Sequence, residues 1–339
     1  MRDYLTVVGD SACAVAERRP EPKKMSDALF SMRQEGLRGF VTLPSNSGAL
    51  DSILLFSSGL LPFVALVGPS GWGKSHLLRG AAHHLHKETG QTLDVYNLKE
   101  WIEKAPGADS SMPLMLDDAQ GIYESARVRQ ELRKILERRV RGGKPTLLSF
   151  SMNKGRSLKL FLPQFRSWTV APIEAPRAKE RTPFVQTVAA HNGLTLSDEL
   201  TQLLNRKVIR TGGSLLGAIK RLKLMRSDWS SPRATLKACG VLYPLFLDEG
   251  GWDMRDHTHE TLCPVLRSAD KKTREEMCIY VMHHLQGISE EAIGSYFHLS
   301  AGQVYSISNR IAARIASGEM ADLSQACCEN LLTSFATLH

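Results

Sequence analysis

Apolar residues follow two different patterns along this chain, and the change comes near residue 175. From about residue 25 to 175, short apolar runs alternate with amphipathic segments, which is typical of a parallel β-sheet with helices on both faces. Helices are predicted at Ser75–Lys87, directly after the first strand, and at Ser125–Arg141. The predicted strands are FVALVG, LDVYNL, SMPLMLDD, PTLLSFS and WTVAPI.

After IEAPRAKERTPF the spacing of apolar residues becomes wholly helical. Helices are predicted over Thr182–Asn192, Ser197–Ile209 and Ser214–Arg226. The stretches SDWSSPRAT and LDEGGWDMRDHTHE interrupt the periodicity and predict connections toward a further unit. Three more helices are predicted between Thr273 and Ala316, so the second half of the chain is expected to be all-α.

Composition and charge narrow the class of protein. The 339 residues are 42% hydrophobic and 23% charged, an ordinary globular mixture, and no apolar run reaches the roughly 18 residues of a spanning helix. The N-terminus does not read as a signal peptide, and the six scattered cysteines form no CxxC pair. We therefore expect a cytoplasmic protein without structural zinc. The net charge of +8 favours a polyanionic partner only if an element that reads nucleic acid is also present.

A phosphate-binding loop follows the first predicted strand. Residues 68–75 read GPSGWGKS and fit the pattern G-x-x-x-x-G-K-[ST] at every fixed position. In such a loop, successive backbone N–H groups and the start of the next helix face the phosphates. Lys74 would neutralise the β- and γ-phosphates, and the Ser75 hydroxyl would bind Mg²⁺. The alternative is a chance glycine-rich turn. The candidate ligands are Gly68, Pro69, Ser70, Gly71, Trp72, Gly73, Lys74 and Ser75.

Two adjacent acids end a later strand, in LMLDD. A phosphate loop needs a carboxylate on a neighbouring strand, so Asp117 is predicted to bind the metal and Asp118 to orient a water molecule. The alternative is an ordinary solvated strand end. At the tip of LLSFSMN, Ser151 or Asn153 would contact the γ-phosphate.

Several stretches in a fixed order resemble the bacterial replication initiators of the DnaA family, which are AAA+ ATPases. They are FVTLPSNSGAL, GKSHLL, LMLDDAQ, RAKERTPFVQTVAAHNGLTLSDELTQLL and GGSLLGAIKRL. The resemblance implies ATP or ADP with Mg²⁺, self-association through the AAA+ domain, and nucleotide contacts from Ser45, Asn46 and His76. The expected domains are an irregular arm (1–24), an AAA+ P-loop domain (25–175), an α-helical lid with its connection (176–250), a helix-turn-helix domain (251–317) and a C-terminal tail (318–339).

The chain also departs from the family at positions that matter for catalysis. Gln164, in LPQFRSW, stands where the family has an arginine that enters the next subunit's site, and Arg166 lies two residues away. Gly213 stands where the family has the sensor II arginine. Each missing guanidinium would lower turnover on the order of 10³-fold. The 24-residue arm is also too short for the family's helicase-docking domain, and there is little room for the helical wedge that meets single-stranded DNA. We expect nucleotide binding with weak or absent hydrolysis.

The last helical unit is the candidate DNA reader. HLS predicts a tight turn and Ser300-Ala-Gly-Gln303 a capping box, so a helix-turn-helix is expected. The alternative is a three-helix bundle that binds only protein. The resemblance places Lys271, Lys272 and Arg274 at a basic loop. LSAGQ stands where the family has its base-reading run, Arg-Asp-His-Thr-Thr. The similar run RDHTHE at 255–260 comes about forty positions earlier, and we attribute that similarity to chance. The other candidate contacts are Gln303, Tyr305, Ser306 and Asn309 to bases, and Arg310 and Arg314 to phosphates.

The helix after the acid pair, ARVRQELRKILERRVRGGK, is strongly basic. Its exposed side is either an ordinary solvated face or a contact with nucleic acid or a neighbouring subunit. In the family an arginine that touches single strands falls at Arg127. Reversing charge at Arg127, Arg133 and Arg138 separates the two interpretations through DNA affinity and its salt dependence.

Three functions are consistent with the sequence. The leading one is a nucleoid-associated, DnaA-like protein that binds ATP and duplex DNA at an origin or regulatory site. The alternative is an ATP-responsive regulatory DNA-binding protein that does not open strands, which the missing arginines favour. A helicase-loader or transposition ATPase is the third, and the helices between Thr273 and Ala316 argue against it.

Overall fold

The computed structural model describes residues 37–98, 100–101, 111–120, 125–151, 158–250 and 252–337. The chain divides into two compact units, one ending at Arg177 and the other beginning at Ala178. The expected arm (1–24) and the candidate ligand Asn153 lie outside the described residues. Within the described part of the chain, no helix has the length and apolar character needed to cross a bilayer.

The first unit is built on a parallel sheet whose order is β2-β3-β4-β1-β5. The order and the parallel pairing are those of an α/β domain, and they confirm the predicted fold class. Pairing sets Gly68 opposite Ser151 and Asn97 opposite Asp117, so the carboxyl ends of four strands meet at one edge. The strands are β1 Phe63–Gly68, β2 Val95–Asn97, β3 Leu114–Asp117, β4 Thr146–Ser151 and β5 Thr169–Pro172.

Helices cover both faces of this sheet. They are α1 Ser47–Ser57, α2 Lys74–Thr89 and α3 Ala126–Arg141. Leu66 and Leu77 belong to the core under α1 and α2, whereas Leu116 and Leu132 belong to the core under α3. Each such leucine contributes roughly 1.5–3 kcal/mol through burial. Because both faces are buried, the strands are continuous apolar runs, as the sequence indicated.

A buried arginine joins α3 to the amino-terminal ends of the strands, opposite the edge where their carboxyl ends meet. Arg139 is 2% exposed. Its guanidinium donates to the carbonyls of Met112 (2.7 Å) and Pro145 (2.8 Å) and to the hydroxyl of Thr146 (3.0 Å). Burial lowers the pKa of Arg139 to about 10. This side chain is a structural anchor that holds the starts of β3 and β4 together.

The second unit is helical in every described element. Its helices are α4 Ala178–His191, α5 Asp198–Lys207, α6 Gly212–Leu224, α7 Pro232–Gly250, α8 Met254–Val265, α9 Lys271–Tyr280, α10 Glu290–Phe297, α11 Ala301–Ala316 and α12 Ala321–Thr337, with a π-helical turn at Val281–Leu285. α12 packs against α5, α7, α8 and α11. The stretch expected to be a C-terminal tail is therefore a 17-residue helix that joins the other helices of this unit. The finer division into lid and helix-turn-helix domain stays a prediction.

Two local expectations were wrong. LDEGGWDMRDHTHE is not a long connection, because α8 begins at Met254 and contains the run RDHTHE. Asp253 starts that helix by accepting the backbone N–H of Arg255 (2.9 Å). Lys271, Lys272 and Arg274 do not lie in a loop either. Asp270 caps the helix by accepting from Thr273 (3.0 Å), so the three cations occupy the first turn of α9.

Candidate functional site

The loop between β1 and α2 has a backbone that only glycine permits at several positions. A Cβ on Gly68 would lie 2.1 Å from the carbonyl oxygen of Ile173, so β5 passes too close for any side chain. Gly71 and Gly73 have φ values of 78° and 97°, which L-residues rarely adopt. A Cβ on Gly73 would also lie 2.9 Å from the ring of Phe40. The glycines in the motif are therefore required by the shape of the loop.

Lys74, the first residue of α2, lies beneath this loop. Its ammonium group donates to the carbonyls of Gly68 (3.1 Å) and Pro69 (2.7 Å), and the residue is 4% exposed. Burial lowers the pKa of Lys74, and the carboxylates of Asp118 and Asp117 oppose that shift. The structure thus brings the predicted cation and both predicted acids into one electrostatic site.

The acid pair lies at the end of β3 and is held by β4. The hydroxyl of Ser149 donates to Oδ1 of Asp117 and accepts the backbone N–H of Asp118 at 3.0 Å. Asp118 has a φ of 49°, in the left-handed region. Such backbone strain in a non-glycine residue persists only where surrounding contacts maintain it. Here Ser149 fixes the turn that separates the two carboxylates.

Gln120 completes a network around Asp118. Its side-chain amide donates to Oδ1 of Asp118 (3.0 Å), and its oxygen accepts the backbone N–H of Ser151 (2.9 Å). The hydroxyl of Ser151 also donates to Oδ1 of Asp118, at 3.3 Å. Ser149 and Ser151 were not both expected here, although residues two apart on a strand share a face. Ser151 therefore faces the acid pair from the tip of β4.

The segment before α1 is folded by Asn46. This side chain accepts from the backbone N–H of Leu43 (2.8 Å) and donates to the carbonyl of Val41 (3.0 Å), so both ends of its amide are used. Ser45 ties the segment to the end of β5, because its carbonyl accepts from Glu174 (3.1 Å). The hydroxyl oxygen of Ser45 is buried and has no hydrogen-bond partner in the described part of the chain. Their roles as nucleotide contacts stay predictions.

The remaining side chains of the loop lie near the surface. Ser70 is exposed, Ser75 and Trp72 are half-buried, and Trp72 packs against the core under α1 and α2. The His76 ring meets that of Phe40 edge-on at 5.5 Å. Burial, followed by the charge of Arg79, lowers the pKa of His76. At neutral pH this imidazole is therefore largely neutral and does not add a cation to the loop.

The two positions that depart from the family pattern lie at the surface. Gln164 has a φ of 47° and is exposed, as is Arg166. Gly213, in the first turn of α6, is exposed, and a Cβ there would meet only the Thr211 hydroxyl, at 3.5 Å. A side chain would fit at 213, so steric exclusion does not explain the glycine.

A tight turn joins α10 to α11, the two helices of the predicted helix-turn-helix. α10 ends at Phe297, and the next residue, His298, has a φ of 56°. The chain then turns back so tightly that a Cβ on Gly294 would lie 2.5 Å from the carbonyl oxygen of Leu299. The predicted capping box is confirmed. The hydroxyl of Ser300 accepts from Gln303 N (3.3 Å), and Oε1 of Gln303 accepts from Ser300 N (2.8 Å).

The candidate DNA contacts fall into two groups. In the group on α11, Tyr305 and Ser306 are exposed and Asn309 is half-buried. The side-chain oxygen Oε1 of Gln303 already accepts the backbone N–H of Ser300 in the capping box. Both arginines of this group are paired, since Arg310 donates to Oε1 of Glu276 at 2.7 Å and Arg314 donates to Oε2 of Glu319 at 3.0 Å. In the first turn of α9, Lys271 and Lys272 are exposed, and Arg274 is half-buried with its Nε hydrogen-bonded to no described group.

The basic helix α3 presents Arg127 and Arg138 to solvent, and neither forms an ion pair among the described residues. Arg133 pairs with Glu137 at 3.1 Å. The functional interpretation of this face stays a prediction.

Comparisons with known proteins identify the fold. No family model matches the sequence, and no curated protein matches it either. Among solved structures, a replication initiator DnaA bound to AMPPCP and single-stranded DNA is 19% identical, with a TM-score of 0.50 over 86% of this chain and 97% of that chain. AMPPCP-bound DnaA from Aquifex aeolicus is 17% identical, with a TM-score of 0.49 over 86% and 96%. The first similarity supports an α/β fold followed by a helical part.

Proposed function

We propose that this chain binds ATP and double-stranded DNA as a DnaA-like protein in the initiation or regulation of chromosome replication. The observation that carries the proposal is the site at the carboxyl edge of the sheet. There a glycine-determined phosphate loop, the buried cation of Lys74 and the carboxylates of Asp117 and Asp118 lie together. A polyanion is the ligand that such a loop binds.

The residues present fit a nucleoside triphosphate with Mg²⁺. The buried ammonium group of Lys74 is held by two carbonyls at the base of the loop, where a phosphate would replace part of its lost solvation. Ser75 and Asp117 supply the hydroxyl and carboxylate oxygens that Mg²⁺ prefers. Bound Mg²⁺ would neutralise phosphate charge. The solved DnaA of the same fold is bound to AMPPCP, which supports an adenine nucleotide.

Hydrolysis by this chain is proposed to be weak or absent. Asp118, which would orient the water, is hydrogen-bonded by Gln120 and Ser151, but Gln164 and Gly213 supply no guanidinium where the family has one. In other phosphoryl-transfer enzymes an arginine finger raises turnover by about 10³- to 10⁵-fold. The same two residues favour the second candidate function, a nucleotide-responsive DNA-binding regulator that opens no strands.

Duplex binding is proposed for α10 and α11, with Lys271 and Lys272 as phosphate contacts. The capped second helix of a helix-turn-helix is the element that enters a major groove. Self-association through the AAA+ unit, single-strand contact by α3 and a cytoplasmic, nucleoid-associated location belong to the same proposal. The solved DnaA bound to single-stranded DNA supports nucleic acid as the partner class.

Fluorescence anisotropy with a random-sequence duplex tests the proposal, with and without MgATP. We expect saturable duplex binding that weakens with salt and changes with nucleotide. A Lys271→Glu/Lys272→Glu variant should bind more weakly, whereas Lys220→Glu, an exposed lysine on α6, should not. Absence of duplex binding under every nucleotide condition would contradict the proposal. A steady-state ATPase rate equal to that of ordinary initiators would contradict its claim about hydrolysis.

A further inference from the structure

The helix α11 has one side fixed in the bundle and the other facing out. Ser308 is fully buried and its hydroxyl is bonded to Nδ1 of His283 (2.9 Å) and Nδ1 of His284 (3.2 Å) in the π-helical turn. Nε2 of His283 is in turn bonded to Oε1 of Glu290 (2.9 Å) on α10. Ser308 therefore anchors α11 to the π-helical turn, which His283 in turn ties to α10, and this fixes the direction in which the neighbouring Asn309 leaves the helix.

The arginines of α11 are paired with carboxylates. Arg310 donates to Glu276 (2.7 Å), and the side chain of Glu276 is only 10% exposed. Arg314 donates through Nε to Oε2 of Glu319 at 3.0 Å. A free arginine or lysine is the group that most often reads guanine, through O6 and N7. On α11 both guanidinium groups are already oriented and largely neutralised by acids of the same chain.

Asn309, in contrast to the two arginines of α11, is uncharged and is not paired with an acid in the described part of the chain. It is half-buried, and its amide makes no hydrogen bond among the residues that the structure describes. A side-chain amide offers a donor and an acceptor side by side, which match N6 and N7 of adenine in the major groove. Ser306 lies one helical turn earlier, exposed, and can pair with any base.

We propose that the chain selects duplex sites through A·T base pairs, with Asn309 reading adenine and the paired arginines serving only to position the helix on phosphates. This inference rests on the proposed duplex binding and names the sequence class that the same helix reads. Guanine is disfavoured at the Asn309 position, because the two arginines of α11, which would meet O6 and N7, are both paired with acids.

Selection of bound sequences from a random duplex pool, followed by anisotropy titrations of single-base variants, tests this proposal on the 339-residue chain. We expect an adenine at one position whose replacement by guanine weakens binding roughly 5- to 150-fold. Asn309→Ala should remove that preference while binding to random duplex is retained. Asn309→Arg should move the preference to guanine. Asn330→Ala, an exposed asparagine on α12, is the matched control and should bind like the unmodified chain.

The outcomes separate this inference from the proposal beneath it. Failure to bind any duplex would overturn both. Duplex binding with a guanine-centred preference, or an adenine preference that survives in Asn309→Ala, would overturn the inference and leave duplex binding intact. Circular dichroism and thermal unfolding of each variant establish that a lost preference reflects the missing amide and not a lost fold.

Discussion

The phosphate loop and α11 treat their cations in opposite ways. In the loop, the ammonium group of Lys74 is buried against carbonyls, and the acids nearby are held by hydroxyl and amide groups. On α11, the guanidinium groups are exposed or half-exposed and directly paired with Glu276 and Glu319. The first arrangement leaves a buried positive charge that a bound polyanion would neutralise, whereas in the second the positive charge is already balanced by acids of the same chain. Under the proposed function, the strength of nucleotide binding and the choice of DNA sequence would therefore depend on different chemistry in the two units.

The largest effect is expected from Gly68→Ala. The added Cβ would lie 2.1 Å from the carbonyl oxygen of Ile173, and neither strand can move without breaking the pairing of β1 with β5. We expect a loss on the order of 3 kcal/mol in the free energy of unfolding, measured by urea denaturation. Gly48→Ala, on α1 with nothing within 4 Å, is the control and should be neutral or slightly stabilising. Equal stability of the two variants would show that β5 does not approach the loop in this way.

Asp117→Asn should act on the ligand more than on the fold. Loss of the carboxylate removes the proposed metal ligand, so MgATP binding should weaken at least about tenfold and lose its dependence on Mg²⁺. Titrations with and without EDTA measure this change. Asp51→Asn, an exposed acid on α1, is the matched control. An Asp117→Asn protein whose affinity still rises with Mg²⁺ would remove Asp117 from the metal site.

Ser300→Ala breaks the cap of α11 without touching the loop. The hydroxyl loses the hydrogen bond that it accepts from the backbone N–H of Gln303 and the one that it donates to Oε1 of Gln303, and a cap of this kind contributes about 1 kcal/mol. We expect a lower unfolding midpoint in urea and weaker duplex binding, with nucleotide binding unchanged. Ser300→Asp keeps an acceptor at the cap and should retain most of the stability. A fall in nucleotide affinity as large as the fall in duplex affinity would count against separate sites.

Glu276→Gln should have the smallest effect and is the sharpest test of the comparison. It releases Arg310 from its ion pair, so duplex affinity should rise slightly and the slope of log affinity against log salt should steepen by about 1. Glu291→Gln, an exposed acid on α10, is the control. Identical salt slopes for the two variants would mean that the pairing of Arg310 is irrelevant to DNA.

Much of the first unit follows from local pattern. Continuous apolar runs predicted the strands because both faces of a parallel sheet are buried, and the loop motif predicted Lys74, Asp117 and Asp118 near one another. The pattern did not indicate which side chains on different strands would be hydrogen-bonded to each other. The hydrogen bonds that Gln120 and Ser149 make around the acid pair depend on strand order. That order places residues 31 or 32 positions apart in the sequence next to each other.

The second unit shows the same limit more strongly. Turn and cap chemistry predicted the start of α11, because Ser300 and Gln303 act locally. The pairing of Arg310 with Glu276 crosses between two helices, so the spacing of residues on α11 alone could not indicate that the arginine is paired. In the first unit, His84 on α2 is 6% exposed because it lies on the side of the helix that packs inward. Helical periodicity marks a face, but it does not give the width of that face.

The most direct test of the central claim is isothermal titration of MgATP into the unmodified chain and into Lys74→Met. We expect saturable binding by the unmodified chain and at least a hundredfold loss of affinity in the variant. We also expect an unfolding temperature that is unchanged or higher in Lys74→Met, because burial penalises the charge of this lysine in the folded protein. Lys134→Met, an exposed lysine on α3, should bind like the unmodified chain. Absence of saturable ATP binding in the unmodified chain, or equal binding by Lys74→Met, would contradict the account.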